Sequence, residues 1–341
     1  MIAPKLISVE WDLSYLCNFS CIHCRNATSQ GKYLDKNIYI DIIKRIAELK
    51  PEFLTIGGGE PLLYPNLAEL ILEAHNLGIK PRVLSNGWLI NKELVKKLVD
   101  GGVWGISISL DGAKAETHDR IRGVKGSYDR VINALKLLVS MGVNCPVSMT
   151  VNAININDIE QEAELCYNLG VKNFGIRPML PSGRGLKVYY DLKIEEYKDI
   201  FTRTHKLKQL YKGKINVSSG DPLYNTIDLK YLRNAEQVDF KLLGGCDIGL
   251  SMIRIDPDGN IGLCPLIQDI KLGNIFNDNI KSLWENNEIL NAFRTREVLT
   301  GACKDCRYKY ICGGCRARAL TFGDIQGNDP VCWRSEKSKA V

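Results

Sequence analysis

Cys17-Asn18-Phe19-Ser20-Cys21-Ile22-His23-Cys24 follows closely on the apolar run Leu6 to Asp12, which reads as a β-strand. Three thiols on one short loop can each ligate one iron of a [4Fe–4S] cube, leaving the fourth iron free. A cluster that only carries electrons ordinarily takes four protein ligands, so an open iron points to a bound small molecule. A zinc site with His23 as fourth ligand is the alternative this stretch alone leaves open.

Downstream of the loop, strands and helices alternate with short connections, which predicts a parallel sheet. Tyr39, Ile42, Ile43, Ile46 and Leu49 recur at helical spacing over 36–50, and Pro51 closes that helix. Phe53 to Gly57 reads as the second strand, and Leu67, Leu70, Ile71, Ala74 and Leu77 stripe a second helix up to Gly78. Strand 82–85 and helix 91–100 come next, then strand 104–110 and a helix capped by Ser127. Strand 147–151 precedes a helix capped by Asn157, with Glu160 as its capping-box partner. Strand 173–177 leads to a charged helix over 193–210. Six such units are too few for a closed eight-unit barrel. The expected fold class is therefore α/β, a partial (β/α)6 TIM-type barrel with an open side.

The last third is punctuated by Gly and Cys, with a strand and tight turn over Ile253 to Asn260 and one short helix near 279–293. Two domains are expected, residues 1–215 and 216–341, the second small. Of the 341 residues 45% are apolar and 25% charged, and the net charge of +6 is diffuse, so nucleic acid is not an expected partner. No run approaches the roughly 18–20 apolar residues a membrane span needs, and the start lacks the layout of a signal peptide. The expected location is the cytoplasm, where thiols stay reduced and serve as ligands. Cys145 and Cys166 read as small buried hydrophobes; the other ten of the twelve cysteines fall in two arrays.

In a strand–helix barrel the functional groups sit where strands end. Those ends carry Gly57-Gly58-Gly59-Glu60-Pro61, Ser85-Asn86-Gly87, Ser107-Ile108-Ser109-Leu110-Asp111-Gly112, Thr150-Val151-Asn152 and Arg177-Pro178. The CxxxCxxC loop with the Gly-Gly-Glu-Pro and Ser-Leu-Asp-Gly segments resembles the radical S-adenosylmethionine (radical SAM) superfamily. The resemblance implies a catalytic [4Fe–4S] cluster on Cys17, Cys21 and Cys24 whose open iron is chelated by S-adenosylmethionine. It also implies reductive cleavage of that cofactor to a 5′-deoxyadenosyl radical that takes hydrogen from a substrate. Gly58, Gly59 and Glu60 would lie against the methionine amino group, the glycines allowing close backbone approach to the ligand. Ser85, Asn86, Ser109 and Asp111 are candidate ribose or carboxylate contacts, with ordinary turn and cap chemistry as their alternative. No residue is singled out as a catalytic acid or base.

The second array is Cys246, Cys264, Cys303, Cys306, Cys312, Cys315 and Cys332. A paired zinc ribbon is its plainer alternative. Its spacing resembles the SPASM extension of radical SAM maturases, which binds two auxiliary [4Fe–4S] clusters; three clusters in all are implied. One departure is Cys312-Gly313-Gly314-Cys315, one residue shorter than the usual CxxxC. By analogy Cys303, Cys306, Cys312 and Cys332 fill one cluster. Cys246, Cys264 and Cys315 hold the other, with an open iron or Asp247 as the nearest further ligand. His118-Asp119-Arg120-Ile121-Arg122-Gly123 and the residues up to Tyr128 also resemble this subgroup, read mainly as a solvated loop whose arginines could face the cofactor carboxylate or the substrate.

The subgroup implies oxidative maturation of a peptide or protein, under anaerobic conditions and with a small electron donor of ferredoxin or flavodoxin type. With the cluster loop starting at residue 17, no N-terminal peptide-recognition domain is expected. The alternative is tailoring of a tetrapyrrole in haem biosynthesis, or of a metal cofactor. Arg307 to Ala319 resembles such relatives, and its basic residues would suit propionate or phosphate groups. A non-enzymatic iron–sulfur electron carrier is a third reading, which leaves Gly57 to Pro61 without a role.

Overall fold

The computed structural model describes residues 3–187, 192–228 and 244–335. Alternation along the strands sets its architecture. Val9 and Trp11 of β1 (Ser8–Asp12), Leu54 and Ile56 of β2 (Phe53–Gly57), and Val83 of β3 (Lys80–Ser85) are buried in one apolar core. So are Ile106 and Ile108 of β4 (Gly105–Ser109), Met149 of β5 (Val147–Val151), and Phe174 and Ile176 of β6 (Asn173–Pro178). The same core takes Ile42, Ile43 and Ile46 from α1 (Lys36–Ala47) and Leu70 and Ile71 from α2 (Leu67–Asn76). It also takes Val95 and Leu98 from α3 (Lys92–Asp100). Each fully buried aliphatic side chain contributes about 1.5–3 kcal/mol, so the layer between sheet and helices holds the fold.

The opposite face of the sheet is not a core. Ser8, Glu10, Thr55, Arg82, Ser148 and Arg177 line a chamber of about 650 Å³. A closed barrel fills that space with layers of branched side chains; here most inward strand positions are polar or small, with Leu84 and Met252 as larger exceptions, and the space stays open.

The strands form one ten-stranded sheet in the order β10-β9-β8-β1-β2-β3-β4-β5-β6-β7. Strands β1 to β7 are parallel, with β7 (Asn216–Ser218) on β6. The C-terminal third returns to the other edge. There β8 (Met252–Ile255) runs parallel to β1, and β9 (Asn260–Cys264) and β10 (Ile267–Asn274) follow as antiparallel neighbours. Strands from both sides of residue 215 thus share one sheet, and we propose that the two domains meet near that residue, at the start of β7.

Four local expectations are corrected. The segment after Asp111 is not a loop but contains α4 (Ala115–Arg122), ended by Gly123 at φ 70°. Helix α5 (Ser127–Ser140) is capped by Gly126 at φ 82°, while Ser127 donates its hydroxyl to Asp119 at 2.8 Å. The capping box at Asn157 is absent: α6 (Ile159–Asn168) starts from a 3₁₀ turn, and Glu160 instead accepts from Arg203 Nε of α7 (Ile194–Leu210) at 2.7 Å. The helix expected over 279–293 is two, Ile280–Asn286 and Glu288–Thr295. Asn287 breaks it by turning extended and capping the second helix through Ile289 N and Leu290 N. Cys145 and Cys166 are buried in the core. Among the described residues, no helix is long and apolar enough to cross a membrane.

Candidate active site

The loop after β1 is fastened by the chain itself. Cys17 N donates to Ser29 O (3.2 Å), Ile22 N to Ile121 O at the end of α4 (3.0 Å), and Arg184 Nε to Cys21 O (3.0 Å). The glycine segment after β2 zips onto this loop: Gly59 N donates to Ser14 O (2.7 Å) and Glu60 N to Leu16 O (2.8 Å). A Cβ at Gly59 would stand 1.9 Å from Leu16 O, and one at Gly58, where φ is 119°, 2.5 Å from Ser14 O. The close approach that these glycines permit is therefore to the cysteine loop, where the sequence suggested approach to a ligand.

Cys17, Cys21 and Cys24 line one cleft of about 300 Å³ with Gly58, Gly59, Glu60, Ser85, Asn86 and Ser109. Glu60 is 2% exposed, yet its carboxylate accepts from Leu62 N (3.0 Å), Ser85 Oγ (2.9 Å) and Asn86 N (2.7 Å). Burial pushes its pKa up to about 7 although these donors pull it down. Asn86 Nδ2 donates to Asn18 Oδ1 (2.8 Å), tying the end of β3 to the cysteine loop.

Asp111 does not reach the cleft. Fully buried, it lies 2.7 Å from Arg122 Nε and 3.4 Å from His23 Nε2, and accepts from Thr150 N (2.7 Å). Burial favours the neutral acid, but Arg122 and the Thr150 N–H hold its pKa below the ordinary value. Its place is behind the cleft, positioning Arg122, which does line it and whose Nη1 stands 3.6 Å from Cys21 Sγ. A guanidinium there favours the thiolate, the form that ligates iron, against a burial that raises the Cys21 pKa. His23 faces Asp111 and is pushed down to about 4 by burial, so it is neutral. His118, on the far side, accepts from Asp111 N through Nδ1 (3.1 Å). The sequence reads the Arg122 segment mainly as a solvated loop, with arginines that could also face the cofactor carboxylate or the substrate; the recurrence of Ile121 and Arg122 behind His118 on one helix was the available signal for a buried arginine.

Cys303, Cys306, Cys312 and Cys332 line a second, smaller cavity. The shortened Cys312–Cys315 spacing is met by two successive left-handed glycines, Gly313 (φ 67°) and Gly314 (φ 65°). Cys246 N donates to Cys312 O (3.0 Å), and Cys264 and Asp247 look into the barrel chamber. Arg316 and Arg318 are fully buried and spent on the protein itself: Arg316 donates to Ile325 O and Gly327 O and stands 3.8 Å from Cys303 Sγ, and Arg318 donates to Asp221 and Asp329. The suggestion that they receive propionate or phosphate is thereby overturned.

The donor sets fit iron–sulfur clusters. Three thiols share the first cleft, and each iron of a cube takes its own thiolate, so the donors need not meet at a point. Among the described residues no three His, Cys, Asp or Glu side chains converge on a single-ion site. The family model of the radical SAM superfamily matches residues 11–166, and that of the SPASM iron–sulfur cluster-binding domain matches 246–307. The mycofactocin maturase MftC of Mycolicibacterium smegmatis is 31% identical over 340 residues, 96% of this chain and 82% of that protein. An AdoMet-dependent heme synthase of Methanosarcina barkeri is 28% identical over 340 residues, 97% of this chain and 96% of that protein. The crystal structure of Streptococcus suis SuiB bound to precursor peptide SuiA superposes with a TM-score of 0.82 at 18% identity, over 97% of this chain and 77% of that one, which shows the shared fold. The chain belongs to the radical SAM superfamily, in its SPASM-containing branch. It is an enzyme of the radical SAM maturase type, built on [4Fe–4S] clusters and S-adenosylmethionine.

Proposed function

We propose that this enzyme oxidatively matures a peptide or protein side chain in the cytoplasm, drawing electrons from a small ferredoxin- or flavodoxin-type donor. In this reading Cys17, Cys21 and Cys24 hold the catalytic cluster and Glu60 takes the methionine amino group. Ser85, Asn86 and Ser109 border the bound cofactor, and Arg122 favours the ligating thiolate. Cys303, Cys306, Cys312 and Cys332 hold one auxiliary cluster, and Cys246, Cys264 and Cys315 the other, with an open position beside Asp247. The observation that carries the reading is the single cleft shared by the three thiols and the Gly58–Glu60 segment, which shares Arg25, Thr150 and Arg177 with the chamber walled by Cys264. When bound, the cluster and S-adenosylmethionine supply the hydrogen-abstracting radical. The chain orients them, and buried Met179 and Leu180 on the cleft wall exclude water. The relative MftC, a maturase, supports the peptide reading. A tetrapyrrole substrate is favoured instead by the end-to-end match to the heme synthase.

Anaerobically reconstituted protein should hold about twelve irons, four per cluster, and form 5′-deoxyadenosine when reduced with S-adenosylmethionine. Zinc in place of iron, with no 5′-deoxyadenosine, would sink the proposal.

Glu60→Gln should weaken S-adenosylmethionine binding by about 1.5–3 kcal/mol, measured by calorimetry, because a charge-assisted contact is lost. In the parent, affinity should rise as pH passes upward through about 7, where Glu60 ionises, and the variant should lose this dependence. The sign for folding is opposite. With its pKa raised from 4.5, Glu60 binds more proton in the folded state, so its contribution to stability declines as pH rises through that window. An unchanged affinity would place Glu60 outside the cofactor site.

A further inference from the structure

Arg177 stands on the inner face of β6 where the cleft and the chamber meet, and it lines both. Its side chain is exposed to that space, and among the described residues its guanidinium makes no hydrogen bond or ion pair. The other chamber arginines are engaged. Arg25 grips Asp12 with both Nη atoms (2.8 and 2.6 Å). Arg82 lies 4.0 Å over the Phe53 ring, donates to Ser8 Oγ (3.2 Å), and has Glu10 near enough to feel its charge. Of the wall acids, Asp247 already accepts from Ser251 Oγ (2.7 Å). Arg177 is thus an open fork of N–H donors inside a protected space, and such a fork matches a carboxylate. Thr150, its register partner on β5, adds a hydroxyl to the same wall. Gly220 makes room on the other side: a Cβ there would stand 2.2 Å from Arg177 Nη2.

We infer that Arg177 is the anchor for a carboxylate group of the substrate. Its charge already reaches the Cys264 thiol on the same wall, and the single positive charge, with no hydrogen bond among the described residues, suits a carboxylate better than a phosphate dianion. Its position sets the anchored molecule between the cleft of Cys17, Cys21 and Cys24 and the wall bearing Cys264. Naming the ligand as substrate rests on the proposed function; the binding chemistry does not.

The carboxylate has two sources, a tetrapyrrole propionate or a peptide carboxyl. The test uses reconstituted full-length protein, with two free-acid probes and their neutralised partners. Fe-coproporphyrin III is compared with its tetramethyl ester, read by quenching of Trp104, which lines the chamber and is 43% exposed. A hexapeptide pool with free carboxyls is compared with the amidated pool, read by affinity selection and mass spectrometry. One free acid should bind about 10–100-fold more tightly than its neutral partner, and which one identifies the source. Arg177→Met should erase that difference, Arg177→Lys should restore part of it, and Gly220→Ala, which removes no charge, should diminish it. Free acids that bind no better than their neutral partners overturn the inference. So does an Arg177→Met variant with parental preference, or one that weakens S-adenosylmethionine binding by the same factor, since the arginine then serves the cofactor carboxylate. Parent protein that binds the free acid through Arg177 yet forms no 5′-deoxyadenosine would overturn the proposed site roles and leave the anchor standing.

Discussion

Alanine at Cys17, Cys21 and Cys24 together removes about four irons per chain and abolishes 5′-deoxyadenosine formation. The loss should be specific, because the loop is not held in place by its metal alone. Ser29 O, Ile121 O, Ser14 O and Leu16 O each take a backbone hydrogen bond between the loop and its surroundings, and Arg184 clamps Cys21 O. Cluster binding often contributes directly to folding; here these bonds should keep the variant folded with parental circular dichroism. Unchanged iron content, or residual cofactor cleavage in the well-folded triple variant, would remove these cysteines from the catalytic cluster.

The second large effect is on stability. Arg318→Met should cost on the order of 3–5 kcal/mol, the scale for removing one member of a buried ion pair. Arg318 is fully buried and donates to both oxygens of Asp221 (2.6 and 2.9 Å) and to both of Asp329 (2.9 and 2.8 Å). Asp221 follows β7 and Asp329 precedes Cys332, so one guanidinium ties the first part of the chain to the cysteine-rich last part. Methionine leaves buried Asp221 without its paired guanidinium and Asp329 with only the charge of Arg316 nearby. The pH dependence has a definite sign. Burial alone would raise the Asp329 pKa, but Arg318 holds it below the ordinary 3.8. Its contribution is therefore present above that value and is lost as pH falls through the depressed one. Urea unfolding should show a parent–variant gap that narrows on acidification, as the orphaned carboxyls of the variant take up protons. A gap independent of pH would assign the loss to packing.

The order of strands and helices up to residue 210 was legible because each element carries its own period. Tyr39, Ile42, Ile43 and Ile46 mark a helix face wherever the chain goes, and Phe53 to Gly57 marks a strand. The CxxxCxxC loop stood out for a similar reason, since its spacing is local, whereas the second array is spread from Cys246 to Cys332. Cap assignments failed where a distant partner competed. Glu160 was taken by Arg203 on a neighbouring helix, and Ser127 by Asp119 across a turn.

By itself the sequence determined the α/β alternation, the cysteine loop after the first strand and the superfamily to which they belong. The tertiary structure decided what the polar residues do. Asp111 and Ser109 are two positions apart on one segment, yet only Ser109 borders the cleft; Asp111 points behind it to Arg122, which 11 residues of sequence and a helix end bring back. Gly59 is a glycine because Leu16, from another strand's loop, passes where its side chain would be. Arg177, Arg25 and Arg82 look alike as letters, and only the positions of Asp12, Phe53 and Gly220 around them leave Arg177 without a hydrogen bond or ion pair among the described residues. Periodicity and ligand spacing are properties of neighbouring residues and survive in a linear string. Which charge is neutralised, and which faces open space, depends on distances that exist only after the sheet has brought remote strands together.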